Sequence, residues 1–235
     1  MELYYSKKIG EGDCIIEGDE ALHCVRVMRN KIGDIVDVID GRGISYECRI
    51  DSISGKNIVC SILSSTRGLG AHPYRLTMAV ALTKNMERYE WYVEKATELG
   101  TDRFVPLVGD FSIRKDFNRD RLERIMISAV KQSLKAFVPK LDGITKTRDF
   151  IAENPSGNTA RLICCCNDNY PRQFITEAVE KTEEIIIMIG PEGDFSRAET
   201  DAAVSAVFGC VTLGEARLRT ETAAVLAVSA VSLTH

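Results

Sequence analysis

No apolar run in the 235 residues reaches the length of a membrane span, and no charged-then-apolar leader opens the chain. Both absences point to a soluble, cytoplasmic protein with no membrane partner. Charge of one sign is also missing in bulk. Thirty Lys and Arg against 34 Asp and Glu leave a net charge of −4, which excludes a chain that coats nucleic acid by overall electrostatics. A local basic face remains compatible with that balance. The eight cysteines, at 14, 24, 48, 60, 164, 165, 166 and 210, include no C-x-x-C pair. They read as buried reduced thiols, with neither disulfides nor a metal site. A G-x-G-x-x-G fingerprint is absent, since Gly41-x-Gly43 and Gly68-x-Gly70 each lack the third glycine, and no P-loop is present. Dinucleotide and ATP sites of the ordinary kinds are thereby excluded. Repeats and low-complexity tracts are lacking too, and a hydrophobic content of 45% suits one large or two modest globular domains.

What is present changes character near residue 70. Before it, short alternating segments such as Ile35–Ile39, Ile44–Ile50 and Asn57–Leu63 are separated by turns at Asp40-Gly41, Arg42-Gly43 and Ser54-Gly55. This is the pattern of a small antiparallel barrel or sandwich. Ser64 to Ala71 is small and polar and reads as a linker, dividing a domain at 1–70 from one at 71–235. Beyond it, strands and helices alternate. Strands are predicted at Leu76–Leu82, Arg103–Val108, Arg161–Cys166 and Glu184–Ile189, with a helix over Glu87–Leu99 that Gly100 ends in a left-handed cap. A longer helix is predicted from an Asn118 cap to Phe137, with Leu122, Ile125, Met126, Ala129 and Val130 at core spacing. Such an order implies an α/β domain with a mainly parallel sheet covered on both faces.

Two glycine-punctuated segments lie near the C-terminus: Gly190-Pro191-Glu192-Gly193-Asp194-Phe195-Ser196 and Leu213-Gly214-Glu215-Ala216-Arg217-Leu218-Arg219-Thr220. Each follows an apolar run and opens a helix. Ser196 and Glu199 have the spacing of a capping box. Either the two segments are ordinary strand-to-helix turns, or they stand side by side and line one pocket for a small polar ligand at the carboxyl ends of parallel strands. Basic residues cluster at His23, Arg26, Arg29 and Lys31, and again at Arg114, Lys115, Arg119 and Arg121. The first cluster suits RNA contact; the second fits a solvated helix start equally well.

Together the two segments resemble the signature loops of the SPOUT superfamily of methyltransferases, and within it the family that methylates N3 of a uridine in 16S ribosomal RNA. Three further blocks carry the likeness along the chain: His23-Cys24-Val25-Arg26-Val27-Met28-Arg29 with Gly33-Asp34, Lys95 to Gly100 through Val105-Pro106-Leu107, and Lys131-Gln132-Ser133 with Val138-Pro139. The resemblance implies S-adenosylmethionine as cofactor, bound in a C-terminal trefoil knot, and a PUA-like N-terminal domain. It implies a homodimer with the Ala-rich last helix at the contact, and a small-subunit RNA substrate, uridine 1498 by resemblance. Knots are rare in folded chains, so nothing but the likeness supports this one. The competing readings are a SPOUT enzyme acting on a ribose 2′-hydroxyl, and a non-catalytic RNA-binding assembly module.

By the same likeness, Gly190, Pro191, Glu192, Gly193, Leu213, Gly214, Leu218 and Arg219 hold the cofactor, with Cys166 at the pocket's border. Uracil N3 carries a proton and is a poor nucleophile until it leaves, so the site needs a proton acceptor and a cation or donors for the resulting anion. Arg219 is the candidate for the second role, unless it braces the loops by pairing with Glu192 or Glu221. For the first role there are three candidates: Glu192, which otherwise ties down its own loop, Glu221, and water. His23, Arg26 and Arg29 are placed against RNA. The chain departs from the family pattern in four places. Asp194 stands for a glycine, Asp110-Phe111-Ser112 for Glu-Arg-Ser, Lys131 for a glutamate, and Ala216 for an arginine.

Overall fold

Period-two alternation in the first seventy residues folds into a curled sheet. The computed structural model describes residues 2–154, 159–166, 169–180 and 182–235. It divides into two compact units, Met1–Ala71 with Ile127–Val138, and His72–Met126 with Pro139–His235. In the first unit the strands are β1 (Leu3–Tyr5), β2 (Lys8–Ile9), β3 (Asp13–Glu17), β4 (Ile35–Ile39), β5 (Ile44–Ser54) and β6 (Asn57–Arg67). They pair in the order β1-β4-β5-β6-β3-β2, antiparallel except for β1 with β4. Inward positions including Val36, Val38, Cys48, Ile50, Ile58 and Cys60 form one core with Cys14 and Ile16. Ser6, buried between the two edge strands, donates its N–H to Ile39 O at 3.0 Å and its hydroxyl to Ile15 O at 2.6 Å. One serine thus draws the sheet edges together.

Two features of this unit depart from the sequence pattern. The expected linker begins later, because Ser64–Arg67 extend β6 opposite Ile44–Glu47. Pairing uses backbone groups, so small polar residues satisfy a ladder as well as apolar ones do. Between β3 and β4 lie α1 (Gly18–Leu22) and a π-helical turn, His23–Val27, where only strands and turns are legible. Elements of five residues are too short to show a period. From further along the chain, Val130 and Ala136 join Leu3 and Ile39 in a smaller apolar cluster.

The second unit is a parallel sheet of β7 (Arg75–Ala81), β8 (Arg103–Val108), β9 (Lys140–Leu141), β10 (Thr145–Lys146), β11 (Ala160–Cys164), β12 (Gln173–Phe174), β13 (Glu184–Ile189) and β14 (Gly209–Thr212). Its order is β10-β8-β7-β13-β11-β14-β12, with β9 also on β8. The unbroken apolar run of β13 marks a strand covered on both faces. Helices α2 (Met86–Leu99) and α3 (Arg119–Gln132) start on asparagines whose side-chain oxygens accept the N–H of Glu87 and Arg121. The division between units falls within α3, after Met126. The remaining helices are α4 (Thr147–Glu153), α5 (Ile175–Val179), α6 (Arg197–Ser205) and α7 (Thr220–Thr234). α4 packs with α6, and α7 with α2 and α5. Alternate strand residues, such as Ala79 and Met78, serve the two layers.

Helix ends divide into legible and hidden ones. Gly100 closes α2 at φ 110, as the sequence predicts. The helix predicted to reach Phe137 stops at Gln132, because Leu134 takes the left-handed position at φ 54. Lys135 N–H bonds Val130 O and Leu134 N–H bonds Lys131 O, which completes a Schellman motif without glycine. α6 ends in the same way on Val207, at φ 65. β14 lies beyond β11 from β13 and β7, yet the following α7 packs on α2 and β7. Residues 213–219 therefore cross back over the carboxyl ends of β11 and β13. Among the described residues no helix is long and apolar enough to cross a membrane, and no cluster of ligating side chains is built to hold a metal.

None of the eight cysteines is in a disulfide. Six are buried as expected, and the hydrogen bond with Cys48 pushes the Cys14 thiol up to about 12. Cys164 is half-buried and Cys166 exposed, a correction to the reading of uniformly buried thiols. The strand expected to reach Cys166 ends at Cys164, and a carboxylate of another loop takes the Cys166 N–H in place of a ladder partner.

Candidate active site

The first glycine segment is a turn fixed from several directions. Asp194 N–H donates to Pro191 O at 2.9 Å, and Asp194 itself sits at φ 65, a left-handed conformation that Asp tolerates better than most residues. Its carboxylate makes two ties that a glycine could not, accepting Cys166 N–H at 2.9 Å and Phe195 N–H at 2.8 Å. Ser196 and Glu199 form the capping box in full and start α6. Gly190 is required by space: a Cβ there would lie 3.0 Å from both Asp194 C and Phe195 N. At Gly193 a Cβ would lie 3.2 Å from Phe111 Cβ, a contact close enough to need a shift of a few tenths of an ångström.

The second segment is joined to the first at one buried point, where Thr220 Oγ1 donates to Gly190 O at 3.1 Å. Upstream of it Gly214 adopts φ 122, held by Thr212, whose hydroxyl donates to Gly214 O and accepts from Gly214 N–H. Arg219 occupies the N-cap position of α7, and no side chain caps that helix. The two segments and the end of β11 enclose one cavity of about 650 Å³. Every residue assigned to the cofactor borders it: Cys166, Gly190, Pro191, Glu192, Gly193, Leu213, Gly214, Leu218 and Arg219. Its size lies within the range of small-molecule sites, about 300–1,000 Å³. Leu213, Leu218, Ile189 and Val211 give it apolar walls, and Glu192, Asp194, Arg172 and Arg219 bring charge of both signs to it. These features fit a nucleoside carrying a zwitterionic amino-acid tail.

The three charged candidates separate. Glu192 borders the cavity and also an adjoining groove of about 800 Å³, and its Oε1 accepts Lys84 N–H at 2.9 Å. The tie runs to the β7–α2 loop rather than within its own loop. Glu221 does not border the cavity; it is nearly buried and faces Arg88 Nε at 3.7 Å. Arg219 is exposed and pairs with neither glutamate among the described residues. It borders the cavity and a second groove, of about 670 Å³, which Arg88, Trp91 and Arg217 also line.

In the first unit, His23, Arg26 and Arg29 lie along the π-helical turn and its exit. His23 Nε2 is 3.2 Å from Glu2 Oε1, while Arg26 and Arg29 are exposed beside exposed Val27 and Met28. Arg29 has φ 61, and Asn30 anchors the exit by donating to Tyr4 Oη at 2.9 Å. Lys131 is drawn into the first unit as the partner of Glu20 at 2.5 Å, so its charge is spent inside the fold. Sequence reasoning missed Lys84, Arg88 and Trp91 on the grooves and Arg172 on the cavity. They come from elements remote from the glycine segments and carry no local motif.

Comparison with known proteins agrees with this geometry. Residues 71–232 match the RNA methyltransferase domain, and residues 16–63 match the RNA methyltransferase PUA domain. The chain is 27% identical over 234 residues to ribosomal RNA small subunit methyltransferase E of Bacillus subtilis, covering 92% of this chain and 88% of the relative. Among solved structures it resembles a probable rRNA-methyltransferase from Porphyromonas gingivalis, with 36% identity, a TM-score of 0.93 and coverage of 100% and 98% of the two chains. It also resembles a ribosomal RNA small subunit methyltransferase E from Neisseria gonorrhoeae bound to S-adenosyl methionine, with 25% identity, a TM-score of 0.82 and coverage of 99% and 97%.

Proposed function

The chain belongs to the RNA methyltransferase family, and we propose that it methylates N3 of one uridine in the 16S RNA of the small ribosomal subunit, using S-adenosylmethionine. A single cavity lined by both glycine segments, at the carboxyl ends of parallel strands, supports this most directly. When bound there, the cofactor supplies an electrophilic methyl group on a sulfonium. Gly190, Pro191, Gly193, Leu213, Gly214, Leu218 and Cys166 hold it, the glycines allowing close backbone approach.

Methyl transfer is an in-line displacement, so holding N3 in line with the methyl group supplies a large part of the rate. Arg219, at the cavity's edge and without a side-chain partner among the described residues, stabilises the uracil anion through O2 or O4. Glu192 spans cavity and groove with one carboxylate oxygen tied to Lys84 N–H. Its other oxygen, free of protein hydrogen bonds among the described residues, takes the N3 proton. Glu221 keeps a bracing role against Arg88. Residues 1–70 serve as the RNA-binding domain, with His23, Arg26 and Arg29 on phosphate, and 71–235 as the methyltransferase domain. The assembled subunit is the substrate, in the cytoplasm. The enzyme acts as a homodimer through α2 and α7, where Trp91, Leu226 and Leu233 stay exposed at 45%, 41% and 88%.

The test is methylation of small subunits lacking the modification, with labelled cofactor, followed by primer extension along 16S RNA. An N3 methyl group blocks the Watson–Crick edge and stops the polymerase, so one new stop at a uridine is the expected outcome. Label without a stop moves the reaction to a ribose or to a base position off the pairing edge, and no label on subunits or naked RNA leaves a binding module.

A further inference from the structure

Phe111 stands at the edge of the site, unused by cofactor binding and uncovered by folding. Its loop, 109–112, leaves the carboxyl end of β8, on the same sheet edge as the glycine segments. The residues around it are anchored. Gly109 N–H donates to Ser112 Oγ at 2.9 Å, Ser112 N–H to Gly109 O at 3.1 Å, and Asp110 N–H to the buried Glu199 Oε1 at 3.1 Å. The Asp110 carboxylate accepts the Ser196 hydroxyl at 2.6 Å and Arg148 at 3.1 Å, two partners that hold it below the usual carboxylate range. Within this rigid frame Phe111 remains 54% exposed. Its Cβ and Cγ lie 3.2 Å and 3.6 Å from where a side chain on Gly193 would begin, so it flanks the cofactor loop without lining the cavity. Two residues on, Ile113, 69% exposed, lines the groove shared by Lys84, Arg114 and Glu192.

A lone exposed apolar side chain is ordinary on any protein. An exposed aromatic on an anchored loop, two residues before a groove-lining side chain and beside Gly193 of the cofactor loop, matches what N3 chemistry demands of the base. N3 lies on the Watson–Crick edge between two carbonyls, and that edge must face the methyl group and the in-plane donors. Only the flat faces of the ring are left to hold the base in register. A phenyl ring offers a flat, uncharged surface of the right kind.

We infer that Phe111 is the platform on which the target uracil stacks, an inference that rests on the proposed uridine methylation. It holds the base by one face and leaves the N3 edge turned to the cavity. The experiment compares wild type with Phe111→Ala, Phe111→Leu and Phe111→Trp. It reads KM and kcat on undermodified small subunits, S-adenosylmethionine affinity, and binding of a labelled uridine-containing RNA fragment to the protein saturated with S-adenosylhomocysteine. Phe111→Ala is expected to raise KM and weaken fragment binding by about 5–150-fold, the range of one base–aromatic stack, with cofactor affinity unchanged. Phe111→Trp retains wild-type KM, and Phe111→Leu, apolar but not flat, behaves like the alanine variant. An unchanged KM in Phe111→Ala overturns the inference. So does a parallel loss of cofactor affinity, which would make the ring a brace for Gly193. If wild type methylates no subunit yet the alanine variant loses fragment binding, the uridine methylation fails and the platform stands.

Discussion

The two glycine segments border one cavity but are built oppositely. The first is tied to three other parts of the second unit: Glu192 to Lys84, Asp194 to Cys166, and Gly190 to Thr220. The second is fixed at its ends, by Thr212 and by Thr220, while Gly214 to Arg217 and Arg219 remain exposed. A fixed floor and a lightly held arm suit a site that must grip a cofactor and then admit a macromolecule. Rigid donors give precise placement, and an exposed arginine is open to an incoming base.

Breaking the floor has the largest expected effect on cofactor binding. Gly190→Val pushes a branched side chain against loop backbone already 3.0 Å from the Cβ position, and overpacking of about 1–3 kcal/mol predicts up to about 100-fold weaker S-adenosylmethionine binding by calorimetry. Arg219→Ala tests the arm. Its kcat should fall by about 10²–10³-fold, the usual loss for an anion-stabilising group, while cofactor affinity stays within a few-fold. Equal loss of both would give Arg219 the bracing role. Asp194→Ala removes two ties to backbone N–H groups and strains a left-handed position, so cofactor affinity should drop by about tenfold, with Asp194→Gly losing less because glycine relieves the strain. The smallest effect is expected at Gly193, where the nearest neighbours of an added Cβ are side-chain atoms of Phe111 at 3.2 Å and beyond rather than backbone. Gly193→Ala should bind cofactor within a few-fold of wild type, and a loss matching that of Gly190→Val would show that the floor tolerates no side chain anywhere.

Local chemistry made much of this legible. The Ser196 capping box, the Gly100 helix end and the apolar β13 run each depend on residues adjacent in sequence, and each is found where the pattern puts it. Leu134 and Val207 show the limit: both close helices in the left-handed position without being glycine, and only the hydrogen bonds around them reveal it. Glu192 shows another. Its local surroundings suggested a tie within its own loop, whereas its partner is the N–H of Lys84, far away in sequence.

The sequence by itself determined the kinds of element, the change of architecture near residue 70, and the two segments able to face a cofactor, because strand period, caps and glycine conformation are local properties. Only the tertiary structure decided which charges share a space. It set Glu221 against Arg88 and outside the cavity, left Arg219 without a side-chain partner among the described residues, gave Lys131 to Glu20, and put Phe111 beside Gly193. Those pairings follow from the strand order, which brings together the ends of strands distant in the chain, and no local pattern encodes that adjacency.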